Sequence, residues 1–164
     1  MKVLNLLYII LLVLLSVVLK SCITAEAPIY CIHLHNQTEN EMYAIYKWSC
    51  EYDGQYTKEI KLSEDSSLYN SQRMCPNWAP NLWCFDYQPE DFLKPTDTLT
   101  IFILDKEEYE GKTWSQLVDS AHFRQIYYLS GDDIRLIGWE IPYPPSEKMR
   151  NMDMVPSYDE AVKN

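Results

Sequence analysis

His33 and His35 stand two residues apart with Cys31 two residues before them, and in an extended chain residues at i, i+2 and i+4 project to one side. Two imidazoles on one strand face could begin a metal site. No third or fourth ligand can be named beside them, so the pattern is read as the polar face of a strand, with no metal assigned. Adjacent carboxylates occur at Glu90-Asp91, Glu107-Glu108 and Asp132-Asp133. A carboxylate hydrolase needs its two groups facing across a cleft, not neighbouring in sequence. Asp132 and Asp133 are better explained by the first turn of a helix, where the dipole favours negative charge. There is no GxSxG elbow, no GxGxxG or GxxxxGK loop and no CxxC pair. The expectation is therefore a non-enzyme without a cofactor.

Aromatics and cysteines carry more. Trp78, Trp83, Phe85 and Tyr87 crowd a Pro-rich stretch, and Trp78, Trp83 and Tyr87 are the candidate ligand-binding residues, suited to stacking on a glycan or anchoring a protein partner. The opposing reading is a satellite cluster that fastens this stretch onto a sheet, since large aromatics are mostly buried. Of five cysteines, Cys22 follows a basic start (Met1-Lys2) and a run from Val3 to Leu19 that is apolar except for Asn5, Tyr8 and Ser16. That run has the form of a secretory signal, although its length approaches that of a spanning helix. Leu19-Lys20-Ser21-Cys22 resembles a bacterial lipobox, with Lys20 where a small or apolar residue is usual. The resemblance implies that Cys22 is acylated and becomes the mature N-terminus.

Cys31, Cys50, Cys75 and Cys84 then remain, an even number in an oxidising compartment, and are the candidate disulfide residues. Four cysteines allow three pairings. Proximity in sequence favours Cys31 with Cys50, across a hairpin, and Cys75 with Cys84, closing the aromatic loop.

These residues need elements to position them. The 164 residues suffice for one domain with a core. With 47% hydrophobic and 23% charged residues, wholesale disorder is excluded. The net charge is −10, and losing Lys2 and Lys20 with residues 1–21 leaves 12 basic residues against 24 acidic, or −12. Such a surface repels phosphate backbones, so nucleic acid is excluded as a partner. Residues 22–28 read as a tether, 29–145 as the globular domain and 146–164 as an extended tail. Within the domain, alternation predicts a strand over 29–35 and a second over 42–52, then a turn at Asp53-Gly54. A weaker strand signal surrounds 58–62, and 71–95 has no regular period. Leu99 to Leu104 is apolar throughout, as in a central strand buried on both faces. Thr113 with Gln116, and Ser130 with Asp133, mark two short helices, with strands at 125–129 and 139–143. The fold class expected is α+β, an antiparallel sheet or sandwich-like domain with two short helices in its C-terminal half.

Three segments together, Asp97-Thr98-Leu99-Thr100-Ile101-Phe102-Ile103-Leu104-Asp105, Tyr127-Tyr128-Leu129-Ser130 with Asp132-Asp133-Ile134, and Trp139-Glu140-Ile141-Pro142-Tyr143-Pro144-Pro145, carry a resemblance. Over roughly 28–155 the chain resembles a family of small uncharacterised lipoproteins of Bacteroidetes. That resemblance implies a lipid-anchored protein of the cell envelope, at the outer membrane, and supplies no activity. The partners expected are the membrane, through the N-terminal lipid, and an unidentified envelope protein or glycan.

Overall fold

The computed structural model describes residues 30–49, 61–85 and 94–163. Eight strands among them form two sheets, making an α+β fold. The strands are β1 (Tyr30–Asn36), β2 (Met42–Ser49), β3 (Asn70–Met74), β4 (Asn81–Phe85), β5 (Thr98–Asp105), β6 (Gln125–Ser130), β7 (Glu140–Tyr143) and β8 (Asp153–Val155). Short helices α1 (Lys106–Tyr109), α2 (Trp114–Ser120), α3 (Gly131–Leu136) and α4 (Tyr158–Ala161) all lie in the C-terminal half. The larger sheet is antiparallel, in the order β3-β2-β5-β6-β8. The smaller has the order β4-β1-β7, with β1 antiparallel to β4 and parallel to β7.

The period of two explains the layers. Ile32 and Leu34 of β1 point inward, together with Leu82 and Ile141 of its neighbours. They meet Met42, Ala44 and Tyr46 of β2, Leu99, Ile101 and Ile103 of β5, and Tyr127 and Leu129 of β6. The alternate residues of the large sheet, Ile45, Phe102, Leu104, Ile126 and Tyr128, face away into a second apolar layer with Leu62 and Leu117 of α2. β5 is therefore the middle strand of five and is buried on both faces, which is why its sequence shows no alternation.

Two cross-layer hydrogen bonds fasten the sheets. Tyr46 Oη of β2 donates to the Leu82 carbonyl (2.8 Å), and Tyr127 Oη of β6 to that of Pro142 (3.0 Å). Both carbonyls belong to strands at the edges of the small sheet. Burial pushes the Tyr46 and Tyr127 phenols up, so both remain donors.

Both helix starts read from the sequence are capping boxes. Ser130 Oγ accepts from the Asp133 amide (3.1 Å) while the Asp133 carboxylate accepts from the Ser130 amide (2.9 Å), and Thr113 and Gln116 do the same for α2. Gly138 follows α3 at φ 71°, a conformation in which a Cβ would be strained.

Three expectations are corrected. The stretch 71–95 is not uniformly irregular: β3 and β4 occupy much of it. The 146–164 segment is not an extended tail. It packs Met149, Met152, Met154 and Tyr158 into the core through a 3₁₀ turn at Glu147–Met149, then β8 and α4. Three conformations within fifteen residues leave no single apolar period to detect. Finally, Cys31 is joined to Cys84, across 53 residues, and not to Cys50, while Cys75 is a free thiol. Cys31 and Cys84 face each other in the β1–β4 register, whereas Cys75 and Cys84 lie on one chain path that runs antiparallel along β1. An extended path separates them, so a neighbour in sequence is not a neighbour in space. The expected signal segment, Cys50, the Asp53-Gly54 turn, most of the 58–62 strand and Tyr87 lie outside the described residues; Lys61 and Leu62, described, are not in a strand.

Candidate functional site

The β1–β2 turn, the C-terminal ends of β5 and β7 and the N-terminal end of β6 meet at one pole of the sandwich, because Met42 pairs with Asp105, Ile103 with Gln125, and Asn36 with Tyr143. A cleft of about 460 Å³ opens there. It is lined by Thr38, Asn40, Met42, Asp105, Arg124, Gln125, Tyr143, Pro144, Pro145, Pro156 and Ala161.

Asn36 builds the rim. Its side chain is buried at the end of β1, where the amide nitrogen donates to the carbonyls of Asn40 (2.8 Å) and Met74 (3.1 Å). Its oxygen accepts from the Thr38 amide (3.1 Å) and hydroxyl (2.8 Å). One side chain thereby closes the β1–β2 turn and ties it to the end of β3. Gln125, also buried, donates to the Pro156 carbonyl (2.8 Å), fixing the opposite wall. The Tyr143–Pro144 and Val155–Pro156 peptides are cis, and Tyr143, Pro144 and Pro156 all line the cleft.

Three ionisable groups line the cleft, with Arg124 exposed at its mouth and Asp105 partly buried. Arg124 Nε donates to Asp105 Oδ2 (2.7 Å), and this carboxylate raises the guanidinium further above its ordinary value. The Tyr143 phenol is pushed up chiefly by burial; Arg124 opposes the shift and Asp105 adds to it. Among the described residues the terminal nitrogens of Arg124 and the Tyr143 hydroxyl have no hydrogen-bond partner. The cleft thus offers oriented donors above walls of proline and methionine. A second, more open hollow of about 450 Å³ lies on the other side of β7, lined by His35, Gln37, Ile137, Glu140, Pro142, Ser146, Glu147 and Lys148.

The residues singled out from sequence are scattered. Trp78 is 50% and Trp83 40% exposed. Neither sits on a loop closed by a disulfide: the Trp78 carbonyl accepts from the Asn36 amide, while Trp83 on β4 pairs with Ile32 on β1. These partners stand four positions apart on β1, about 13 Å along a strand. Trp83 leans toward Trp48 of the large sheet, ring centroids 6.4 Å apart. His33 and His35 do share a face, rings 6.3 Å apart, but His35 pairs with Glu140, and among the described residues no group of three metal-ligating side chains comes together. Of the paired carboxylates, Asp133 caps α3, Asp132 pairs with Arg135 and Glu108 with Lys112; Glu90 and Asp91 lie outside the described residues.

None of Arg124, Tyr143, Asn36 and Asp105 was assigned to a binding site from sequence. They come from four separate segments and share no spacing; Asn36, Asp105 and Tyr143 each close a strand, whereas Arg124 precedes one. No family model, curated protein or solved structure matches the chain.

Proposed function

We propose that this chain is a lipid-anchored lipoprotein of the cell envelope whose domain serves a non-catalytic, interaction role. The reading is carried by the course of β1. Seven residues separate Cys22, the acylation site in this reading, from Tyr30, where β1 begins. β1 then runs about 20 Å from that end of the sandwich to the pole that holds the cleft. A chain tethered at its N-terminus would present that pole away from the bilayer. Further support comes from the Cys31–Cys84 bridge, which suits an oxidising compartment, and from the resemblance to Bacteroidetes lipoproteins. Acyl chains on Cys22 would supply stable anchoring.

The test is metabolic labelling with a radioactive fatty acid, followed by fractionation. The native chain is expected to label and to sediment with membranes, and Cys22→Ala to do neither. Continued labelling of Cys22→Ala would overturn the assignment. Co-purification from the native envelope then identifies a partner without presupposing its chemistry.

A second reading, glycan binding, draws on the exposure of Trp78 and Trp83. Given their spacing along β1, they would act as two subsites and not as one platform. Trp fluorescence would then respond to sugars that span both rings, and Trp78→Ala would remove part of the response. A panel of oligosaccharides that leaves the fluorescence unchanged would exclude it.

A further inference from the structure

We propose that the polar cleft binds a small organic carboxylate, with Arg124 and Tyr143 holding the anionic head and the proline walls holding the body. The proposal deepens the interaction reading by naming a ligand class for the outward pole.

At the exposed mouth of the cleft Asp105 takes Nε of Arg124 and so favours one orientation of the guanidinium. The two terminal nitrogens remain, with no partner among the described residues, and their edge matches a planar group with two oxygens. The Tyr143 hydroxyl is another donor, kept protonated because burial raises its pKa. Met42, Pro144, Pro145 and Pro156 line the same space. A proline ring has no N–H to satisfy, so these walls suit the apolar or ring-shaped body of a ligand.

The local charge decides which anion fits. A single guanidinium already paired with one carboxylate attracts a monoanion. A dianion would bring a second negative charge beside Asp105 with no further cation lining the cleft. Inorganic phosphate is disfavoured on that ground. The chain's net charge of −10 likewise repels an acidic macromolecule, while a small monoanion inside the cleft feels mainly the charges within a screening length, about 8 Å at physiological salt.

The experiment is calorimetric titration of the full chain in detergent with benzoate, its neutral isostere benzamide, and inorganic phosphate. Benzoate is expected to bind, with benzamide at least tenfold weaker and phosphate without measurable affinity. Arg124→Gln should weaken benzoate about tenfold or more, as loss of a charge-assisted contact does, and Tyr143→Phe by a few-fold. Thermal unfolding checks that each variant is folded. If Arg124→Gln does not fold, Arg124→Lys keeps the charge, removes the planar fork, and should still weaken binding. Benzamide binding as well as benzoate, benzoate unaffected by the Arg124 variant, or no benzoate binding at millimolar concentration would each overturn the proposal. Acylation of Cys22 plays no part in this measurement, so its failure and the failure of the lipoprotein reading are distinguishable.

Discussion

The two sheets of the sandwich are held by different means. β5 of the large sheet has a strand on each side and an apolar layer above and below, so it is surrounded in four directions. β1, its counterpart in the small sheet, buries Ile32 and Leu34 on one face, while its other face carries Cys31, His33 and His35. Its neighbours come from remote parts of the chain: β4 some fifty residues away, and β7 more than a hundred. Such non-local pairing has a large loop-closure cost and only one buried face to offset it. The small sheet is also where the structure adds a covalent bond and two tyrosine hydrogen bonds from the opposite layer. Burial suffices for the first sheet; the second needs ties.

The largest test of that contrast is the bridge. Replacing both Cys31 and Cys84 with Ser opens a loop of 53 residues, which chain-entropy reasoning values at about 4 kcal/mol. The loss should appear in urea unfolding, and amide exchange should quicken first in β1, β4 and β7 while β5 stays protected. Equal acceleration in both sheets would break the contrast. Non-reducing peptide mapping should recover Cys31 linked to Cys84, with Cys75 open to alkylation.

Next comes the core that both sheets share. Ile101→Ala in β5 should cost about 3 kcal/mol, as a fully buried large-to-small change does. A cost below about 1 kcal/mol would mean that β5 is not the central strand.

Tyr46→Phe and Tyr127→Phe each remove a hydroxyl and leave a carbonyl of the small sheet without its donor. About 1–2 kcal/mol is expected for each, read by denaturant titration. Both tyrosines flank Ile101 in one core, so the double variant measures how far the two ties are coupled. If neither variant loses stability, the cross-layer bonds are not ties at all.

The smallest effect is electrostatic and lies on the large sheet's rim. Arg73 and Lys106 beside Glu41 hold its carboxylate down, from 4.5 to about 2. A depressed carboxylate contributes stability that is fully present above the unfolded value and is lost as the pH falls toward the folded one. Acid should therefore weaken the native chain between about pH 4.5 and 2, and Glu41→Gln should flatten that part of the profile. The pair is solvent-accessible, so salt should reduce the difference. An unchanged acid profile in Glu41→Gln would remove Glu41 from the account.

The contrast between the sheets also explains what could be read in advance. β5 was legible because burial on both faces leaves an unbroken apolar run, and β1 and β2 because one-sided burial leaves alternation. The caps of α2 and α3 were legible because a Ser or Thr and the residue three positions later bond one another locally. β4 was not, since Asn81-Leu82-Trp83-Cys84-Phe85 is a strand only because β1 lies beside it. Gly131 shows the same limit. At the start of α3 it reads as an ordinary cap neighbour, yet a Cβ there would stand 2.3 Å from the Lys94 carbonyl oxygen, a contact made by a segment 37 residues earlier.

The sequence by itself therefore determined the fold class and most strands of the described domain, because each rests on periodicity or on neighbours within four residues. Only the tertiary structure decided the disulfide pairing, the packing of the last fifteen or so residues and the cleft. Asp105 ends β5, Arg124 immediately precedes β6 and Tyr143 ends β7, and the three meet because strand register sets those ends at one pole. Cys31 meets Cys84 for the same reason. Register follows from which faces bury together across the whole sandwich, and no local stretch of residues contains that information.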